Sequence, residues 1–266
     1  MMKIILIFLI TILLLIAAGI VYGEFTYTEK ISGKKNENTN IDSSSSLKQD
    51  QTNTFEVELK GENYLINYFS IENPKKLFLY PNFTEKLSSK EAKRLYECKN
   101  LISGGFYTTN YKPVGLFINE GGMTQDQVKS DLFNGIFWVD YADKPGISVS
   151  YPKGSTRIAL QTGPILIKDG VKQTLLIKND ELARRSIVAT SQNNKIFFLM
   201  LNRKKEKLMG PNLSDLPDIL AIVENDKRFK FSSAINLDGG SAASFHDENT
   251  IVEEISPVGS FFCEKN

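Results

Sequence analysis

From residue 54 to the C-terminus the apolar residues come in runs the length of a β-strand, separated by glycine, asparagine or proline. Short apolar runs bounded by turn residues favour strands over helices. Phe55, Val57 and Leu59 alternate with Glu56, Glu58 and Lys60, the pattern of a half-buried strand. Gly61-Glu62-Asn63 then reads as a turn and Tyr64 to Phe69 as the hairpin partner. Further strands read at 77–80, 100–103, 114–119, 134–140, 157–167, 183–190, 195–201, 233–237 and 255–262, with turns at Asp169-Gly170 and Asn193-Asn194. Residues 123–131 are polar and read as a short helix or a lid. Two helices interrupt the strands. One follows Ser88 or Ser89 to Glu97. The other runs from Leu213 to Val223, capped by Ser214, with Leu216, Ile219, Leu220 and Val223 on one face. The expected fold class is α+β: a large, mostly antiparallel mixed sheet with few helices.

The N-terminus has another character. Ile4 to Val21 is almost unbroken apolar sequence, and an 18-residue helix would span about 27 Å, just enough to cross a bilayer. Residues 1–23 therefore read as a signal peptide or a membrane anchor, and the length of the run leans toward the anchor. Residues 24–53, rich in Lys, Asn, Ser and Thr, read as a disordered linker. Residues 54–266 form the folded domain, placed outside the cytoplasm on either reading.

Composition narrows the chemistry. With 32 basic and 31 acidic residues in 266, no global field favours nucleic acid. The chain has one histidine, His246, and two cysteines, Cys98 and Cys263. A Cys/His zinc site needs about four ligands, so structural zinc is excluded. A serine–histidine couple would have to run through His246, which sits beside Asp247 and Glu248 and reads as a solvated loop residue. Cys98 and Cys263 could pair outside the cell or remain two buried thiols. Catalysis must rest mainly on carboxylates, Arg, Asn, Ser or Tyr.

Two stretches share one grammar. Ile235-Asn236-Leu237-Asp238-Gly239-Gly240-Ser241 is a strand ending in a carboxylate and a glycine pair. Asn100-Leu101-Ile102-Ser103-Gly104-Gly105-Phe106-Tyr107 ends in a hydroxyl and a glycine pair. Polar groups at the open end of a buried strand need partners or a purpose. A third break falls at Gln161-Thr162-Gly163-Pro164, where proline in a strand signals an edge or bulge.

Six pieces in one order resemble the phosphodiester glycosidase domain family: Ser-Gly-Gly-Phe-Tyr (103–107), Lys-Pro-Val-Gly-Leu (112–116), Asn-Gly-Ile-Phe (134–137), Gln-Thr-Gly-Pro-Ile-Leu (161–166), Arg-Ser-Ile-Val-Ala (185–189) and Asn-Leu-Asp-Gly-Gly-Ser (236–241). The resemblance covers about residues 95–260 and matches exported, bacterial-type members. The sequence departs from the pattern at Ser103, where the family carries Asn, and in a glycine run one residue short.

What the resemblance implies is an exported hydrolase that cleaves a sugar 1-phosphodiester in an envelope or extracellular glycan. Asp238 and Arg185 are then the expected catalytic pair, the carboxylate acting at the anomeric carbon and the guanidinium clamping phosphate. Gln161, Thr162, Asn236 and Ser103 are expected to bind substrate, with the backbone of Gly104, Gly105, Gly239 and Gly240 forming an anion nest. Asp238, Arg185 and Gln161 should converge on one pocket. Glu120, Asp140 and Asp169 are available as the general acid. No cofactor is expected; an oxygen-rich pocket beside Asp238 would suit Ca²⁺ or Mg²⁺, although no ligand spacing demands one. The expected partners are a sugar-phosphate or glycan substrate and, through the N-terminal segment, a membrane. The alternative is a non-catalytic, tethered glycan- or peptidoglycan-binding module.

Overall fold

The first hairpin forms where the alternation places it. β1 (Thr54–Leu59) pairs antiparallel with β2 (Glu62–Ile71), and Lys60 and Gly61 make the turn at φ 55° and 78°. Residues 53–226 and 229–266 are described in this computed structural model. The expected signal or anchor segment, and the linker up to residue 52, lie outside the described residues. Among those described, no helix is long and apolar enough to cross a membrane.

The remaining elements follow in chain order. After β3 (Leu77–Pro81) come helix α1 (Ser89–Leu95), β4 (Cys98–Ser103), β5 (Phe117–Asn119), β6 (Gly122–Gln125), β7 (Gly135–Asp140) and β8 (Pro145–Ser148). Then follow β9 (Thr156–Thr162), β10 (Ile165–Lys168), β11 (Val171–Lys172), β12 (Arg185–Thr190) and β13 (Ile196–Arg203). Helix α2 (Leu216–Val223), β14 (Ser233–Asn236), β15 (Phe245–His246), β16 (Ile251–Val252) and β17 (Ser260–Lys265) complete the described chain.

The strands form three antiparallel sheets rather than one large mixed sheet. Seven strands run in the order β1-β2-β13-β12-β14-β10-β11, five in the order β16-β15-β4-β17-β3, and five in the order β6-β5-β9-β7-β8. The reason lies in burial. β13 buries Phe198 and Met200 in one cluster and Phe197, Leu199 and Leu201 in another, so the seven-stranded sheet is covered on both faces. On one face Phe198 meets Ile102 and Phe262 of the second sheet and Phe137 and Leu160 of the third. On the other face α2 contributes Leu216, Ile219, Leu220 and Val223. A single sheet could not have closed over that much apolar surface.

Helix α1 starts as expected, with a capping box between Ser88 and Glu91. Helix α2 does not. A 3-10 turn (Leu213–Asp215) precedes it, and the free N–H groups of Leu213 and Ser214 donate to the Asp180 carboxylate at 2.8 Å each, so the cap comes from a distant loop and not from Ser214. Residues 122–125 form a strand hairpinned with β5, where a short helix or lid was expected. Cys98 and Cys263 form a disulfide, with Cα atoms 5.4 Å apart. It joins neighbouring strands β4 and β17 beneath α1. His246 is buried, not solvated, and its Nε2 shares a 2.7 Å hydrogen bond with Ser89 Oγ.

Candidate functional site

The two strand–glycine units meet. β4 ends at Ser103 and β14 ends at Asn236, in different sheets, and the Asp238 N–H donates to the Gly104 carbonyl at 2.9 Å. Ser103 Oγ stands at the junction. It accepts from the Ser244 N–H at 3.2 Å, lies 3.4 Å from Ser186 Oγ, and donates to the Asp238 carbonyl at 3.5 Å. The third sheet arrives through β9, whose last residue, Thr162, donates from Oγ1 to the Asn236 carbonyl at 2.7 Å. One network thus joins Ser103, Gly104, Thr162, Asn236 and Asp238 from the ends of three sheets.

Asp238 is partly buried, and its carboxyl is pushed up to about 7. Burial is the main cause, and an opposing hydrogen bond from the Gly239 N–H only partly offsets it. Around this carboxyl the structure adds groups to which the motifs alone assign no role. Tyr107 is half-buried and is pushed up by burial first and by the Asp238 charge second. Its hydroxyl donates to the Pro257 carbonyl and is within hydrogen-bonding reach of Ser256, whose Oγ is 2.8 Å from Ser241 Oγ. Tyr107 stacks on Tyr111 with centroids 5.8 Å apart, and Lys86 Nζ sits 3.7 Å from the Tyr111 ring centre. Hydroxyls, aromatic faces and a cation are groups of the kind that hold sugars and their phosphates. Tyr107 lies in the Ser-Gly-Gly-Phe-Tyr piece, which was its only signal in the sequence.

Other expected site residues are engaged elsewhere. Gln161 is 3% exposed, and its side chain is fully used by main chain. Oε1 accepts from the N–H of Leu116 at 3.0 Å and of Val128 at 2.9 Å, while Nε2 donates to the carbonyls of Val128 at 2.6 Å and Phe133 at 2.9 Å. Gly115, at φ 88°, makes room for it; a Cβ there would stand 2.2 Å from Gln161 Oε1. Gln161 pins the 116–133 segment. Replacing it with Leu is expected to leave four main-chain groups unpaired and to cost about 3 kcal/mol or more, read as a lower denaturation midpoint and faster amide exchange at Val128. An unchanged midpoint would contradict this role.

Arg185 lies across from Asp238 in the β12–β14 register, which pairs Ile187 with Asn236. Its guanidinium nevertheless turns to Asp180 at 3.5 Å and to the carbonyls of Pro211 (3.0 Å) and Glu181. No hydrogen bond or ion pair joins Asp238, Arg185 and Gln161 among the described residues. The glycine N–H groups expected to form an anion nest are also occupied. Gly104 donates to the Ser260 carbonyl at 2.8 Å, Gly105 to Ser260 Oγ at 3.1 Å, and Gly240 to the Arg184 carbonyl at 2.8 Å. Gly239 serves close approach, since a Cβ there would be 2.6 Å from the Arg184 carbonyl oxygen. Asn236 Nδ2 donates to the Gly163 carbonyl at 3.0 Å, and Oδ1 is buried with no hydrogen-bond partner among the described residues.

The carboxylates considered as a general acid have other tasks. Glu120 pairs with Arg157 at 3.2 Å. Asp140 accepts the N–H groups of Ala142 and Lys144 at 2.9 and 2.8 Å, and Asp169 is a turn residue at φ 50°. Among the described residues no three His, Cys, Asp or Glu side chains cluster as a metal site would.

Known proteins share this architecture. The catalytic domain of zebrafish N-acetylglucosamine-1-phosphodiester alpha-N-acetylglucosaminidase, in a form auto-inhibited by its pro-peptide, superposes with a TM-score of 0.60 at 12% identity, over 80% of this chain and 81% of that one. A Synechocystis protein matches with a TM-score of 0.55 at 14% identity, over 79% of this chain and 61% of its own. A Burkholderia pseudomallei protein assigned to export matches with a TM-score of 0.50 at 10% identity, over 77% of this chain and 75% of its own. At such identities the likeness establishes the fold alone. No curated protein sequence matches significantly. The family model for phosphodiester glycosidases, however, matches residues 96–260, more than half of the chain and the whole region in which the three sheet ends meet, and the chain belongs to the phosphodiester glycosidase family.

Proposed function

We propose that the chain is an exported hydrolase that cleaves a sugar 1-phosphodiester in an envelope or extracellular glycan. The observation that carries this reading is the placement of Asp238: a carboxyl with a raised pKa where three sheet ends meet, beside hydroxyls and aromatic rings. In this reading ionised Asp238 stabilises the positive charge that builds at the anomeric carbon and takes up the proton of the attacking water. The C1–O bond breaks, and its electron pair leaves with the phosphate monoester, a leaving group that needs little acid help. The Ser241–Ser256 hydroxyls hold sugar hydroxyls, and Tyr107 and Tyr111 offer ring faces. Arg185 holds phosphate by exchanging its 3.5 Å contact with Asp180 for phosphate oxygens. Gln161 and Thr162 act as positioning residues. The disulfide supports a location outside the cytoplasm.

The test is sugar release from a panel of glycosyl phosphodiesters that includes N-acetylglucosamine 1-phosphodiesters. Wild type should release sugar, and Asp238→Asn should release it at least ~10³-fold more slowly. Equal turnover would remove Asp238 from the mechanism. The engaged state of Arg185 and of the glycine N–H groups favours a second reading, a tethered glycan-binding module. Tight binding of a phosphoglycan with no product after long incubation would establish that module instead.

A further inference from the structure

The loop after β11 puts one large apolar side chain into water between two that are packed. Leu175 and Ile177 lie against the cluster beneath α2, while Leu176 between them points outward and is 94% exposed. Alternation along an extended segment explains the direction, but not why a leucine stands there. Leu176 is not isolated. With Leu132, Pro164, Leu175 and Ile177 it lines an open groove of about 400 Å³, within the size range of small-ligand sites. Apolar side chains gathered in this way mark a binding site, which singly scattered ones do not. Asp131 and Lys178 also line the groove, and their opposite charges leave it no net charge with which to draw an ion.

The groove is built onto the candidate site. Its wall at 131–134 is held from within: the Phe133 carbonyl accepts from Gln161 Nε2 at 2.9 Å, and Asn134 Oδ1 accepts the Ile165 N–H at 2.9 Å. Phe133 packs on Phe106, the residue before Tyr107, with ring centroids 4.8 Å apart. Pro164, another wall residue, accepts the N–H of Asn236 at 3.1 Å, two residues before Asp238. The groove and the corner holding Asp238 and Tyr107 therefore share two pieces of framework, the 131–134 segment and the β9–β10 junction.

We propose that this groove receives a long alkyl or isoprenoid chain carried on the substrate's phosphate, which makes the substrate a sugar joined through a phosphodiester to a lipid alcohol. The sugar and the phosphate rest on the function proposed above; the chain rests on the apolar groove and its continuity with the site. When the C1–O bond breaks, its electron pair and the lipid leave together as a lipid phosphate monoester. The anomeric carbon gains the hydroxyl of water, and the remaining proton passes to Asp238. A domain tethered by the apolar N-terminal run, on the anchor reading, meets such lipids at the bilayer surface.

The test is titration calorimetry of the full chain with octyl phosphate, kept below its micelle concentration, and with ethyl phosphate. Octyl phosphate mimics the lipid phosphate product. Each buried methylene is worth about a factor of four, so octyl phosphate should bind at least ~30-fold more tightly than ethyl phosphate. Leu176→Ser and Leu132→Ser, both at exposed positions of the wall, should each cut that ratio to below about 5-fold. In turnover, N-acetylglucosamine 1-(octyl phosphate) should show a KM at least ~10-fold below that of the 1-(methyl phosphate), with a similar kcat. Absence of turnover on both, with the binding ratio intact, would remove the hydrolase and keep the chain-binding groove. No binding of octyl phosphate, equal binding of the two phosphates, or a ratio unchanged in both variants would overturn the proposal. So would a dimer in sedimentation that Leu176→Ser dissociates, which would give the groove to a second copy of the chain.

Discussion

At pH 8 the Asp238→Asn protein should melt at a higher temperature than the wild type while hydrolysing nothing. The carboxyl of Asp238 is pushed up to about 7 from an ordinary value of 3.8, so the folded state holds its proton more tightly than the unfolded chain does. A group raised in this way contributes stability that is complete below pH ~4 and lost as the pH rises to about 7. Above that, the folded protein carries a poorly solvated charge costing about 2–4 kcal/mol, after allowance for screening at its partly exposed edge. Asparagine carries no such charge. The advantage of the variant should therefore be present at pH 8 and absent at pH 4, as read by melting at both values. A wild type more stable than the variant at pH 8 would mean that the carboxylate has a counter-ion. The same titration should govern activity. If the ionised form works, kcat/KM rises with pH through an inflection near 7 and then levels. A folded domain that keeps an unpaired acid at such a position sacrifices stability there, as functional sites do.

Reduction of the Cys98–Cys263 disulfide is the second change with a large expected effect. The bond closes a sequence separation of 165 residues, most of the described domain. In the chain-entropy account, opening a loop of that size costs about 5 kcal/mol. For a domain of this length that loss lowers Tm by roughly 10–20 °C. The bond also fixes the β4–β17 pair, and β4 ends at Ser103, so reduction should loosen the site before the whole domain melts. Denaturant midpoints measured with and without reductant, and with Cys98→Ala/Cys263→Ala, would show it. Coincident midpoints would contradict the structural role.

Much of this was legible in the chain. Alternation at Phe55–Lys60, the turn residues Asp169-Gly170 and Asn193-Asn194, and a serine cap at Ser88 or Ser89 are local signals; the first two sit where the sequence places them, and of the two serines it is Ser88 that caps. The two stretches that share the strand–glycine grammar also meet in space, through the Asp238 N–H and the Gly104 carbonyl. What could not be read was which partner satisfies each polar group. Gln161 is chemically able to bind a sugar; only the fold brings four main-chain groups of Leu116, Val128 and Phe133 to it. Asp180 caps a helix 33 residues away, and in doing so stands beside Arg185. The division into three sheets has the same origin, since alternation marks a buried face without naming what covers it.

The central claim is that water attacks the sugar carbon, not the phosphorus, and that Asp238 makes it do so. Hydrolysis of a glycosyl phosphodiester in ¹⁸O-labelled water tests this most directly. The account predicts the label on the anomeric hydroxyl of the released sugar, with unlabelled phosphate monoester and no product from Asp238→Asn. Label in the phosphate would show P–O cleavage and contradict it.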